Sequence, residues 1–115
     1  MHETTFVNQI LAVLHQNARK VKDAQKVVAN VRLSAFSHVT PEALKETFKA
    51  LNNDESFTKV SLKVLPLELP VECKSCERKS TITQRQFSCP YCQSADINIQ
   101  MDKEFFVESL DIENE

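Results

Sequence analysis

The chain has 115 residues, of which 42% are hydrophobic and 26% are charged, and its formal net charge is −2 at pH 7. This length accommodates one ordinary domain, or a small domain plus a module too short to build its own core. No apolar run approaches the roughly 18 residues of a membrane span, and the slightly acidic charge gives no general attraction to nucleic acid or anionic membranes. The start, Met1-His2-Glu3, lacks the basic and apolar stretch of a secretory signal, so we expect a soluble cytoplasmic protein.

The N-terminal third predicts one helix followed by one strand. Apolar side chains recur at spacings of four and seven residues, which predicts an amphipathic helix from Thr4 or Thr5 to about Arg19. Between Val27 and Ala35 apolar residues alternate with mostly polar ones, the period of a half-buried strand. One face of this strand is expected to meet the helix.

A second helix and a second strand follow. Thr40-Pro41-Glu42 combines a capping hydroxyl, a proline suited to the first helical position and a carboxylate at the positive helix end, so a helix is predicted from here to about Leu51. Asn52-Asn53 is expected to end it in a left-handed conformation, because the chain contains no glycine. A strand is predicted from Val60 to Leu69, and Pro66 within it indicates a bulge or an edge position.

The second half carries two Cys-x-x-Cys clips, separated by the twelve residues Glu77–Ser88. Two clips at this separation can place four thiolates around one ion, as structural four-cysteine zinc sites require, and four protein ligands leave no open position for catalytic water. Glycine often relaxes the turn after the second cysteine of a clip, but here Glu77 and Gln93 hold those positions and are expected to strain it. The predicted zinc ligands are Cys73, Cys76, Cys89 and Cys92.

Two other interpretations of this segment stay open. Cys89 and Cys92 could form a redox dithiol, although the residues after Cys92 lead to a strand pattern and not to the helix such a site usually opens. Four basic side chains in the segment could bind phosphate, or they could balance the −2 charge of Zn²⁺ with four thiolates. These side chains are Lys74, Arg78, Lys79 and Arg85.

Short strands are predicted around the clips. Thr81–Thr83 is expected to form one between them, and Ile97, Ile99 and Met101 alternate after the second. The run from Phe106 to Ile112 is long enough to leave the cysteine segment and pair with the first sheet.

The N-terminus is a candidate site for a second metal. The terminal amine, the His2 backbone amide and the His2 imidazole are consecutive nitrogen donors that can lie in one plane, which Ni²⁺ and Cu²⁺ favour, and Glu3 could complete the set. The alternative is a disordered N-terminus without metal. His15 and His38 are interpreted as structural or exposed side chains.

No constellation of catalytic residues is present in the sequence. There is no Ser/His/Asp order and no plausible carboxylate pair, and the lack of glycine excludes every glycine-rich nucleotide motif. An enzyme is therefore not expected. A zinc-ribbon module that binds nucleic acid or protein is the alternative function that these residues leave open.

In combination, the motifs resemble the hydrogenase nickel-incorporation metallochaperones, the HypA/HybF family. The residues that carry the resemblance are Met1-His2-Glu3, the segment Val39–Leu44, both cysteine clips and the closing segment Val107–Glu113. It covers the whole chain and implies an α+β fold: two helices on a three-stranded mixed sheet with an inserted four-cysteine, zinc-ribbon-like module. The implied nickel-binding domain comprises residues 1–70 and 103–115, and the zinc module residues 71–102.

The resemblance also implies function and partners. Nickel, as cargo, would bind His2 and Glu3, and structural zinc would bind the four cysteines, for delivery during maturation of NiFe hydrogenase and, in some bacteria, of urease. The implied partners are a P-loop GTPase, the hydrogenase large subunit, urease accessory proteins and a second copy of the chain, and not nucleic acid or a membrane. The family usually has glycines where this chain has Ser34–His38, which makes His38 a candidate substitute ligand.

Overall fold

The computed structural model describes residues 2–53 and 57–114, apart from the His2 side chain. Within these residues the α-helices are α1 (His2–Gln16), α2 (Ala18–Asp23) and α3 (Pro41–Leu51). The strands are β1 (Lys26–Leu33), β2 (Val60–Pro66), β3 (Leu69–Cys73), β4 (Lys79–Ile82), β5 (Ile97–Ile99) and β6 (Phe105–Glu113). They form two separate three-stranded sheets.

The first sheet has the order β2-β1-β6, with β1 parallel to β2 and antiparallel to β6. The predicted mixed sheet and the return of the C-terminal strand to it are therefore confirmed. The register of β1 and β6 shifts between Asn30 and Val31. Nδ2 of the buried Asn30 donates to Ser109 Oγ (3.1 Å) and Asp111 Oδ2 (2.9 Å), which fixes the pairing next to this shift.

One face of this sheet and the helices enclose the main core. Alternate side chains of β1 point to this face, as the sequence period predicts. The buried side chains of the sheet and helices include Val7, Ile10, Leu14, Val27, Ala29, Val31, Leu44 and Phe48. Burying one such large apolar side chain stabilises the fold by about 1.5–3 kcal/mol.

Helix α3 begins as predicted. Thr40 is its N-cap and accepts a hydrogen bond from the Ala43 backbone N–H at 3.1 Å, and Pro41 is the first helical residue. The expected left-handed end is wrong, because Asn52 has φ −86°. Instead, Asn52 Nδ2 donates to the Phe57 backbone oxygen at 3.0 Å, so the side chain links the helix end to the residues before β2.

The first predicted helix is divided in two. Asn17 interrupts it with φ −114° and ψ 22°, and its Nδ2 donates to the Val13 carbonyl at 2.9 Å, a side-chain contact that competes with the helical backbone pattern. Helix α2 continues past the predicted end at Arg19 and buries Val21.

The strand predicted from Val60 to Leu69 belongs to two different sheets. Proline has no N–H to donate to a neighbouring strand, and β2 ends at Pro66. The chain then crosses over, with the Leu67 N–H donating to the Leu33 carbonyl at 3.1 Å, and β3 begins at Leu69. Strand β2 lies at the edge of its sheet, which is one of the two positions that Pro66 predicted.

The second sheet has the order β4-β3-β5 with antiparallel pairing. Its small core consists of Leu67, Leu69, Val71 and Ile82. The predicted alternation continues only to Ile99, and Met101 is 52% exposed. None of the helices in the described part of the chain has the length and apolar character that a membrane crossing requires.

Candidate metal centre

The four cysteines converge at one end of the second sheet. Cys73 is the last residue of β3, and the other three lie in the turn between β3 and β4 and in the loop between β4 and β5. All four sulfur atoms lie within 4.8 Å of one another. In the described residues they are the only group of three or more His, Cys, Asp or Glu side chains placed to share an ion.

The distances between the sulfur atoms fit four ligands around one tetrahedrally coordinated ion and do not fit a pair of disulfide bonds. Cys73 Sγ lies 3.6 Å from Cys92 Sγ, and Cys76 Sγ lies 3.7 Å from Cys89 Sγ. A disulfide bond is only about 2.05 Å long. A tetrahedron with metal–sulfur bonds of about 2.3 Å has edges of about 3.8 Å, the zinc–thiolate geometry.

The two cysteine turns are related in structure. The Cys76 N–H donates to Cys73 Sγ and the Tyr91 N–H to Cys89 Sγ, each at 3.4 Å. The residue after the second cysteine of each turn has a positive φ: 61° at Glu77 and 64° at Gln93. In the described residues these are the only non-glycine positions with a positive φ, so both turns have the left-handed conformation that a side chain disfavours.

Backbone N–H groups lower the pKa of two of the four thiols. The Cys76 N–H and then the Ser75 N–H hold the pKa of the Cys73 thiol below its usual range, against the effect of burial. The N–H groups of Cys92 and Tyr91 likewise lower the pKa of the Cys89 thiol to about 6. These are the two most buried cysteines, so the backbone stabilises thiolates where solvent cannot.

Cys76 shows why the cluster needs a cation. The Arg78 backbone N–H lowers the pKa of the Cys76 thiol, but burial and the three neighbouring sulfur atoms outweigh it and raise the pKa to about 11. Four thiolates this close repel one another, so all of them ionise together only when a positive ion is present. The donor set therefore fits zinc, which four soft thiolates favour.

Contacts between the two turns hold the cluster together. Ser75 Oγ lies 2.8 Å from Ser94 Oγ, and the Lys74 N–H donates to the Asp96 carbonyl at 2.9 Å. Neither serine was predictable as a contact between the turns. The only signal in the sequence was a serine within or just beyond each clip, but serine is too common in turns to identify a partner.

The four basic side chains of this segment are exposed. The Arg78 guanidinium lies 5.0 Å from the centre of the Tyr91 ring, and that of Arg85 lies 5.8 Å from the centre of the Phe36 ring. Lys74 and Lys79 are exposed. Both arginines thus contact aromatic rings of the protein itself, in the geometry of cation–π pairs.

The predicted nickel ligands lie at the start of α1. The helix begins at His2, and Glu3 is a half-buried residue of its first turn. The terminal amine of Met1 and the imidazole of His2 lie outside the described residues, so the N-terminal site stays a prediction. His38 is exposed between β1 and α3, and the His15 and Phe57 rings form a T-shaped pair with ring centres 5.0 Å apart.

A cavity of about 420 Å³ lies where the two sheets meet. Its lining includes Arg32, whose Nε lies 3.1 Å from Glu108 Oε1 and whose guanidinium also donates to the Pro66 carbonyl at 3.0 Å. The described residues around it include no cysteine or histidine. The cavity therefore does not compete with the cysteine cluster as a metal site.

Known proteins match this chain over nearly its full length. A family model described as "Hydrogenase/urease nickel incorporation, metallochaperone, hypA" matches residues 1–112. The chain is similar to hydrogenase maturation factor HypA 2 of Bradyrhizobium diazoefficiens, with 27% identity over 98% of this chain and 100% of the relative. It is also similar to hydrogenase maturation factor HypA of Moorella thermoacetica, with 27% identity over 94% and 96% of the two chains.

Two solved structures share the fold. The solution structure of the Ni metallochaperone HypA from Helicobacter pylori has a TM-score of 0.58 and 20% identity, and the match covers 98% of each chain. Another HypA solution structure has a TM-score of 0.63 and 22% identity, over 100% of this chain and 98% of the other. The predicted α+β fold is therefore confirmed by these neighbours.

Proposed function

The chain belongs to the HypA family of hydrogenase/urease nickel-incorporation metallochaperones, and on that premise we propose that it binds Ni²⁺ at its N-terminus and delivers the ion during maturation of NiFe hydrogenase. The observation that carries the proposal is the family match over residues 1–112, which includes both the N-terminus and the cysteine cluster. The family consists of metallochaperones and not of enzymes. Urease is a second destination for the nickel that the family description supports.

The nickel ligands in this proposal are the terminal amine, the His2 amide and imidazole, and Glu3. Nitrogen donors that can lie in one plane select Ni²⁺ over ions that prefer a tetrahedron. A carrier also has to release its ion, and protonation of the imidazole or ligands from a partner provide that route. His38 is a candidate further ligand, since it is exposed and lies in the segment where the family usually has glycine.

The cysteine cluster has a structural role in the proposal. Cys73, Cys76, Cys89 and Cys92 hold Zn²⁺, which fixes the shape of the module at residues 71–102. Residues 1–70 and 103–115 form the nickel-binding domain. The sulfur geometry supports this division of roles, since four protein ligands leave the metal no position for catalysis.

The partners follow from the family role in hydrogenase maturation. We propose a P-loop GTPase and the hydrogenase large subunit as the proteins that exchange nickel with this chain in the cytoplasm. Urease accessory proteins and a second copy of the chain are further candidates. Nucleic acid and membranes are not expected as partners, because the net charge of −2 gives no general attraction to either.

Metal analysis and calorimetry of the zinc-loaded protein test the proposal. The wild type is expected to contain one zinc ion and to bind one further nickel ion, and His2→Ala is expected to lose nickel binding while it keeps its zinc. His15→Ala is the matched control, since it removes an imidazole from the same helix. Unchanged nickel affinity in His2→Ala would refute the N-terminal site, and salt-dependent oligonucleotide binding without nickel binding would favour the zinc-ribbon alternative.

A further inference from the structure

Two neighbouring aromatic residues at the start of β6 contact different cores. Consecutive side chains of a strand point to opposite faces. Phe105 is 9% exposed and belongs to the core of the first sheet, whereas Phe106 packs against the small core of the second. These two adjacent residues therefore connect the domain that carries the N-terminus to the module that carries the cysteines.

On one side, Phe105 reaches the helix that begins at the proposed nickel site. Its ring stacks on Phe6, with ring centres 4.5 Å apart and planes 10° from parallel. Phe6 lies about one helical turn after the residue at which α1 begins. A helical side chain covers the turn N-terminal to its own Cα, which here is the turn that contains Glu3.

On the other side, Phe106 reaches the strand that ends in a cysteine. It packs against a core that includes Leu69 and Val71 of β3, and the same strand ends at Cys73. Phe36 from the loop after β1 joins this core and meets Phe87 with ring centres 5.3 Å apart. The start of β6 is therefore paired with β1 of the first sheet and also packed against the core of the second.

The residue before this pair fixes the strand to the same loop. The Glu104 carbonyl accepts from the Ser34 N–H at 2.9 Å, and its carboxylate Oε2 accepts from Ser37 Oγ at 2.5 Å. The chain therefore enters β6 at a position fixed by the loop that also places Phe36 in the second core.

We propose that Phe105 is a positioning residue for the nickel site, which couples the placement of the cysteine module to the first turn of α1 through Phe6. This inference rests on the proposed nickel site at His2. Close-packed side chains transmit displacement because they leave no free volume to absorb it. Coupling between two sites is reciprocal, so nickel at the N-terminus also changes the module.

Amide NMR of the full-length, zinc-loaded protein during nickel addition tests the coupling. In the wild type, nickel is expected to shift resonances in the first turn of α1 and in the segment around Cys73. In Phe105→Leu the shifts around Cys73 are expected to fall by at least half, with zinc content unchanged and nickel affinity about three- to tenfold lower. Phe48→Leu is the matched control, since it makes the same substitution in the same core, on α3.

The outcomes separate the two proposals. If the wild type does not bind nickel, both are overturned. If it binds nickel and Phe105→Leu keeps the shifts around Cys73, only the positioning role is overturned, and the same holds if Phe48→Leu loses them equally. Should Phe105→Leu fail to fold, the half-buried Phe106→Leu is expected to remove the same shifts from the module side, and their survival there overturns the coupling.

Discussion

The first sheet and the cysteine module differ in how much apolar surface they bury. In the described residues, 16 buried hydrophobic residues form the core around the first sheet, whereas four form the core of the second sheet, to which Leu67 and Leu69 contribute together with the cysteine module. A segment of fewer than about 40 residues rarely folds on apolar burial alone and usually needs metals or disulfides. We therefore expect a metal ion bound by the cysteine cluster to give the module its fixed shape, and the first sheet to fold without it.

This difference suits the two tasks of a metal carrier. In the proposed function the cargo binds at the start of a helix that packs into the large core, so we expect this domain to fold with or without the cargo. We expect the module to depend on an ion of its own, so that its shape is set separately from the cargo. Contacts at the start of β6 are the link through which one part can influence the other.

The largest effect is expected when zinc is removed. Metal binding contributes on the order of 10–16 kcal/mol to the folding of zinc-finger peptides, and the module has little else to replace it. Chelation is expected to abolish amide-exchange protection in β3, β4 and β5 while β1, β2 and β6 keep theirs. Cys89→Ser should reproduce this pattern without a chelator, and its neighbour Ser88→Ala should not.

Protection of β3 after zinc removal would contradict the comparison, since it would mean that four buried apolar residues suffice. Equal loss of protection in both sheets would contradict the expectation that the first sheet folds without the metal. In that case the first sheet would depend on the module for its own stability.

A smaller effect is expected from damage to the large core. Leu44 of α3 is fully buried, and Leu44→Ala is expected to lower the free energy of unfolding of the first sheet by about 2–5 kcal/mol through lost burial and a residual cavity. Urea unfolding followed by amide exchange measures the change. Zinc content should stay the same, and Leu51→Ala at a 38% exposed position of the same helix is the control. Loss of zinc in Leu44→Ala would show that the two parts fold as one unit.

The sequence predicts features that depend on neighbours along the chain. Thr40 and Pro41 define the start of α3 because the hydrogen bond and the fixed φ are local. Cysteine spacing predicts the cluster because two short turns have few ways to present four sulfur atoms. The strained conformations at Glu77 and Gln93 follow from the same turns in a chain without glycine.

Features that depend on distant contacts were not predictable. The break at Asn17 is a partial exception: its side chain competes with the helical backbone pattern, and both arrangements are local, so the sequence does not choose between them. The crossover after Pro66 depends on Leu67 and Leu69 finding a second core. Phe6 stacks on Phe105 and so joins segments near the two ends of the chain. Neither local sequence indicates that the other is its partner.

The smallest effect is expected from relief of strain at a cysteine turn. A side chain at a left-handed position costs about 1–2 kcal/mol, and glycine removes that cost but gains freedom in the unfolded chain. Glu77→Gly is therefore expected to stabilise the zinc-bound module by about 0.5–1 kcal/mol, seen as zinc affinity two- to fivefold tighter in chelator competition. Glu72→Gly is the matched control: the same substitution at an exposed position of β3, where glycine should weaken the strand and lower zinc affinity. If both variants lowered zinc affinity alike, the positive φ at Glu77 would carry no strain. Zinc binding would then not have to offset an unfavourable conformation at this turn.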